Sequence, residues 1–190
     1  MISLIFDTET TGIPRHPNAR GETQPRILEW GGVLVDGRGR ILKELNLLIN
    51  PECLPPKLDR MSMDSAGIKK ITGIEFDDLA QEPIFADVAS QIRPFFAEAD
   101  QVIAHNLPFD ETMMQMDLER AKIVEWPWPA IHTCTAQEHQ DEWGRRPRML
   151  QLFEHYTGEP LQQTHRALDD VMALLEICKH CEVLTEAYHK

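Results

Sequence analysis

Basic residues are scarce in this chain: 19 Lys and Arg stand against 31 Asp and Glu in 190 residues, a formal charge of −12. A protein that coats long duplex DNA needs a basic face that releases counterions. The charge here excludes such a coat, so contact with a polyanion would have to be small, local and metal-dependent. Long apolar runs are missing as well. No stretch approaches the roughly 18 consecutive apolar residues of a membrane span, and MISLIFD at the start lacks the basic segment of a signal peptide. A cytoplasmic protein without a membrane partner is expected. Cysteine is limited to Cys53, Cys134, Cys178 and Cys181, too few for a disulfide framework at this length. CKHC at 178–181 has no second CxxC to complete a zinc site, which favours reduced structural thiols. There is no internal repeat and no low-complexity segment.

What remains is an ordinary globular composition, 42% hydrophobic, with enough chain for a substantial core. Residues 2–6 read as a buried strand running into FDTETTG. The segment 13–26, rich in Pro, is a long loop. ILEWGGVLVD (27–36) and ILKELNLLIN (41–50) are strand-like and joined by GRGR, which predicts an antiparallel hairpin. Residues 61–80 alternate short helical turns with glycine stops. The apolar spacing over 84–98 predicts a helix that Pro94 should kink or interrupt. QVIAH (101–105) and AIHTCT (130–135) are short strands, and 108–121 is an amphipathic helix with Pro in its first turn. A helix follows to about 142, then the basic break WGRRPR, a helix stopped by Gly158, and one long helix over 165–188. Early strands followed by alternating helices and strands predict an α/β fold, a mixed sheet with helices on both faces.

Acidic side chains recur at the predicted element ends. Asp7 and Glu9 are two apart on a strand and so share a face. Asp110 opens a helix just after a strand, and Asp169 and Asp170 fall in the first turns of the last helix, close behind His165. Strand ends and helix N-termini meet along one edge of an open α/β sheet. Carboxylates gathered there repel one another unless cations intervene, and hard oxygen donors select Mg²⁺ or Mn²⁺. Two such ions can clamp the attacking and leaving oxygens of a phosphoryl displacement, and a nearby histidine can take the proton of an attacking water. Each acidic site alone has a plainer reading as a turn, a helix-dipole partner or a solvated face.

Taken together, FDTETTG, HNLPFD and HRALDD resemble the three exonuclease motifs of the DEDDh 3′–5′ exonucleases, a branch of the RNase H-like superfamily that includes proofreading subunits of bacterial replicative polymerases. The resemblance spans residues 6–170 and implies one exonuclease domain over 1–190, with an RNase H-like three-layer α/β/α fold: three antiparallel strands, then parallel ones. By that resemblance Asp7, Glu9, Asp110 and Asp170 hold two Mg²⁺ or Mn²⁺ ions, with Asp7 shared between them, and His165 is the general base. The histidine stands five residues before Asp170, as in the histidine subclass, and Asp169 is left as the non-ligand of its pair. The implied reaction removes 3′-terminal nucleotides as 5′-monophosphates from single-stranded or frayed DNA. RNA trimming and a polymerase-bound proofreading role remain as alternatives.

The same resemblance brings the backbone of Thr10, Thr11 and Gly12 near the terminal nucleotide and gives Asn106 a role in positioning the strand. Where relatives carry a His-Gly-Ile-Thr-like stretch, this chain has Thr72-Gly73-Ile74-Glu75, so Ile74 or Ile71 either wedges against a base or belongs to the core. Glu29 is expected to act structurally, near the turn after strand one. Arg145, Arg146 and Arg148 beside Trp143 combine charge with a stacking surface suited to a single strand. WPWP (126–129) reads as a rigid connection that packs its indoles. With about 20 residues after the third motif, a free-standing enzyme, or one that contacts partners through its body, is expected.

Overall fold

The computed structural model describes residues 1–15, 24–53 and 65–184. Its centre is a five-stranded sheet in the order β3-β2-β1-β4-β5. Strands β1 (Ser3–Thr10), β2 (Ile27–Val35) and β3 (Ile41–Leu48) are antiparallel neighbours, and β4 (Gln101–Ala104) and β5 (Ile131–Cys134) continue parallel to β1. This is the mixed, RNase H-like sheet that the resemblance implies. The apolar pattern predicts that the first strand ends at Phe6, yet pairing with β2 carries it on through Asp7 opposite Gly31 and Glu9 opposite Glu29. The backbone partner decides the strand's length, and the acids ride on it.

Alternation along β1 feeds two cores. Leu4 and Phe6 face a layer built by α2 (Phe85–Glu98) and α3 (Leu107–Arg120), where Trp30, Ile92 and Phe96 are fully or almost fully buried. Ile5 faces the opposite layer of α6 (Met149–Thr157) and α7 (Ala167–His180), packed on Val33, Ile103 and Leu174. Burial of nine consecutive residues in β2 reflects this coverage of both faces. A third, smaller cluster of Leu28, Ile68, Ile74, Phe76 and Leu79 lies under α1 (Ser65–Thr72) and a 3₁₀ turn at Asp78–Gln81.

Several expectations need correction. Pro94 does not interrupt α2, which runs unbroken for 14 residues. The proline is on the exposed side, where water can satisfy the carbonyl it leaves free, while Val88, Ile92, Phe95 and Phe96 hold the inner face. The last helix is shorter than 165–188. At its start His165 has φ 51° and Arg166 is extended, and at its end Cys181 is extended too. Beyond that point Val183 and Leu184 fold back against the α6–α7 core, and 185–188 lie outside the described residues. So do 16–23 of the predicted loop and 61–64 of the predicted helical turns. The segment to 142 forms two short helices, α4 (Thr135–Glu138) and α5 (Gln140–Trp143), broken at His139. Trp126 and Trp128 pack edge-on against Phe96, at 5.4 and 4.9 Å between ring centres, as the rigid connection predicts. All four cysteines are free, with Cys178 and Cys181 buried. Among the described residues no helix is long and apolar enough to cross a membrane.

Candidate active site

The carboxyl ends of the parallel strands β1 and β4 open on one edge of the sheet, where a crevice is expected in folds of this kind. Asp7 and Glu9 project there from β1, on the face that α7 covers. Asp110 reaches the same place from the first turn of α3, and Asp170 from the first turn of α7. One ligand atom each from Glu9, His165 and Asp170 lies within 4.8 Å of the other two. Asp7, Asp110, His165 and Asp170 line a cleft of about 730 Å³ together with Thr8, Asn106, Phe109 and Gln163.

Neighbouring groups hold these acids in place. Asp110 is 2% exposed, and one of its oxygens accepts from both the amide and the hydroxyl of Thr8, at 3.1 and 2.8 Å. Asp170 accepts from the Gln163 amide at 3.3 Å. Asp169 faces outward and accepts from the Thr164 hydroxyl at 2.7 Å, which keeps it out of the cluster. Left-handed backbone at His165 is uncommon for a residue with a side chain and costs about 1 kcal/mol or more. There the His165 imidazole lies beside Glu9 and Asp170, while Arg166 reaches Glu29.

Glu29 is fully buried on β2. It accepts from Arg166 Nη2 at 2.7 Å and Nε at 2.9 Å, from the Ala167 amide at 3.1 Å and from Asn46 at 2.9 Å. Its role is structural, as expected, but its partner is the start of α7 and not the turn after strand one. Gly31 completes this docking. A Cβ there would stand 2.6 Å from the Leu168 nitrogen, so only glycine lets α7 settle so closely over β2.

The electrostatic consequence is strong. Burial, then Asp110, Glu9 and Asp170, push the Asp7 carboxyl well above its ordinary range. Burial and the Asp170 and Glu29 carboxylates raise Glu9 to about 8. Burial raises Asp110 to about 7 despite its two bonds from Thr8. Asp170 is also raised by burial, with His165 and Gln163 pulling the other way. Arg166, which lowers Glu9, is paired with Glu29. A site of hard oxygen donors whose burial and mutual repulsion outweigh the nearby cations and hydrogen bonds fits divalent cations of the Mg²⁺ or Mn²⁺ kind.

A model of the exonuclease family matches residues 4–178. The chain belongs to the DEDDh 3′–5′ exonucleases. These are hydrolases of phosphodiester bonds that, as a family, use divalent metal ions. This exonuclease is 28% identical over 173 residues to DNA polymerase III subunit epsilon of Treponema pallidum (strain Nichols), a match covering 90% of this chain and 72% of that protein. It is 30% identical over 122 residues to the same subunit of Rickettsia prowazekii (strain Madrid E), covering 64% of this chain and 46% of the relative. Among solved structures, the nuclease domain of 3′hExo, a DEDDh family member bound to rAMP, superposes with a TM-score of 0.70 over 94% of this chain and 90% of that one. At 14% identity that likeness is one of fold.

The remaining residues singled out from the sequence fall differently within the exonuclease. Asn106 is exposed on the cleft wall. Thr10, Thr11 and Gly12 are buried, and their hydroxyls are engaged locally: Thr10 donates to the Gly12 carbonyl at 2.7 Å, and Thr11 accepts from the Arg26 amide at 3.0 Å. Ile74 is 4% exposed within the third core cluster, so it has almost no surface for a base; Ile71, 43% exposed, is the apolar surface of that stretch. Thr8, Gln163, Phe109 and the Glu29–Arg166 pair were not foreseen as parts of the site or its support. Thr8 lies inside the first motif, and its alternation away from Asp7 was the available signal.

Proposed function

We propose that this exonuclease removes nucleotides one at a time from the 3′ ends of single-stranded or frayed DNA, releasing 5′-mononucleotides, with two Mg²⁺ or Mn²⁺ ions in the acidic cleft. The observation that carries the reading is the gathering of Asp7, Asp110, Asp170 and His165 along one cleft, with Glu9 beside His165 and Asp170, where burial and mutual repulsion push the carboxyls upward. Asp7 would serve both ions, Glu9 and Asp170 one of them, and Asp110 the other. When bound, such ions supply positive charge at the attacking and leaving oxygens of phosphodiester hydrolysis. His165 accepts the proton of the attacking water at an imidazole nitrogen and passes it to solvent at the cleft mouth. Thr8 keeps Asp110 from turning away, and Phe109 offers its ring to the terminal base. The exposed amide of Asn106 bonds the strand beside the reacting phosphate.

DNA is the favoured substrate because these bacterial relatives are DNA polymerase III subunits. RNA stands as the second reading because the fold neighbour holds rAMP. Association with a polymerase would follow from the same relatives, and co-elution on gel filtration tests it. The deciding experiment compares 3′-labelled single-stranded DNA, mismatched duplex and RNA of matched sequence, with Mn²⁺ and with EDTA. Metal-dependent release of mononucleotides, faster from DNA, is expected. Folded enzyme that releases none under any condition would defeat the proposal.

A further inference from the structure

His105 lines the cleft beside Arg146, Pro147 and Arg148 of the basic segment 143–148, and none of the roles assigned so far uses it. The imidazole is half-buried and bonded at both nitrogens: Nδ1 lies 3.1 Å from the Thr135 hydroxyl and Nε2 lies 3.1 Å from the Pro147 carbonyl. A carbonyl only accepts, so Nε2 carries the hydrogen. Burial lowers the ring to about 4, so near neutrality Nδ1 has no proton and accepts from Thr135. The His105 main chain is anchored as well, its carbonyl accepting the Ala136 amide at 3.0 Å. The ring is thus a fixed peg at the end of β4.

What the peg holds is the segment that carries the cleft's guanidinium groups. Pro147 is buried between Arg146 and Arg148, both exposed and both lining the same cleft as the carboxylates. Other hydrogen bonds described for this segment are local. Arg145 bonds Gln151 at 3.1 Å, Arg146 bonds Gln140 at 3.2 Å, and the Arg148 amide bonds Gln151 at 3.1 Å. The bond from His105 crosses 42 positions of sequence and ties the segment to the sheet. In a chain of charge −12, a polyanionic strand gains attraction only where cations are fixed close to its path.

We propose that His105 is a positioning residue that pins Pro147 so that Arg146 and Arg148 form a subsite for the phosphates upstream of the scissile bond. The subsite rests on the exonuclease reading above and adds a strand-length preference to it. A one-nucleotide substrate reaches the acids without touching the arginines, whereas a strand must lay its next phosphates across them. Guanidinium–phosphate bonding is charge-assisted and geometrically exacting, so loosening the wall weakens it without touching the chemistry.

The test compares a single-stranded DNA decamer with the p-nitrophenyl ester of thymidine 5′-monophosphate, which has no upstream phosphate. For His105→Ala, KM for the decamer is expected to rise about tenfold, the worth of one lost charge-assisted contact, with kcat within about threefold and KM for the ester within about twofold. His105→Gln, whose side-chain amide can donate to the same carbonyl, restores most of the decamer KM. Arg148→Ala, at an exposed position that leaves the fold intact, reproduces the decamer effect even if His105→Ala fails to fold. Equal KM changes on both substrates, or an unchanged decamer KM in Arg148→Ala, overturns the subsite while leaving the exonuclease reading standing. Wild-type protein inert on both substrates overturns both.

Discussion

At the scale of single residues, the site gathers carboxyls whose ionised forms burial and crowding disfavour. Asp7, Glu9, Asp110 and Asp170 all have their carboxyls pushed upward, burial being the first cause in each case. This gives a pH dependence with a definite sign. Well below the ordinary carboxylate range, folded and unfolded chains are both protonated at these groups and no penalty arises. As pH rises from 4.5 toward 8, the unfolded chain releases the Glu9 proton that the folded chain retains, so folding weakens through that window. Asp110 acts in the same direction between 3.8 and about 7. In EDTA the melting temperature should therefore fall steadily from about pH 5 to about pH 8, and Mn²⁺ should flatten the profile. Asp7→Ala should abolish turnover while melting, metal-free, no lower than wild type. Differential scanning fluorimetry checks both, and a metal-free profile that is level or rising with pH would contradict the crowding. Arg166 poses the opposite case, a cation whose removal leaves a buried charge alone. Arg166→Met strands the Glu29 carboxylate and should cost about 3 kcal/mol in urea denaturation. A loss below about 0.5 kcal/mol would mean that Asn46 and the Ala167 amide suffice.

Elements place these residues by close approach, and here the sequence was legible in part. The strand period exposed Asp7 and Glu9 as a pair on one face, a helix start after a short strand located Asp110, and the first turn of the last helix located Asp170. What stayed hidden depends on contacts distant in sequence. Glu29 and Arg166 are 137 positions apart, so nothing local announces their pairing. Gly31 sits within an apolar run where a glycine normally weakens a strand. Its purpose appears only once the backbone of α7 is seen against it. The extent of the last helix was misjudged because its ends are set by His165, turned left-handed to serve the site, and by Val183 and Leu184, drawn back to the core. Neither cause leaves a periodic signal. Gly31→Ala follows as the test of the docking. Its Cβ would meet main-chain atoms of α7 at 2.6 and 2.7 Å, which cannot rotate away as a side chain would. The helix must lift, carrying Asp170 and His165 with it. Overpacking of this kind costs about 1–3 kcal/mol, and a displacement near 1 Å at the reacting groups costs about a hundredfold in rate. Near-wild-type kcat in Gly31→Ala would show that the close approach does not set the site.

For the whole molecule, charge governs how a strand can be received. With 31 acids against 19 bases, the net charge repels nucleic acid, and among the described residues Arg146 and Arg148 line the acidic cleft. Binding through many phosphates would release many counterions and make affinity collapse with salt. Binding through two guanidinium groups cannot. Single-stranded contacts contribute a slope of about −0.7 per neutralised phosphate in log affinity against log salt, so two contacts predict about −1.4. The measurement is the KCl dependence of 1/KM for a single-stranded DNA at fixed, saturating Mn²⁺, so that competition at the carboxylates stays constant. A slope of −4 or steeper would require about six phosphate contacts, far more than Arg146 and Arg148 can make. A slope indistinguishable from zero would put the affinity entirely in the ions, Phe109 and Asn106. Between those limits the salt dependence counts the arginines, and Arg148→Ala should shift it toward zero by about 0.7.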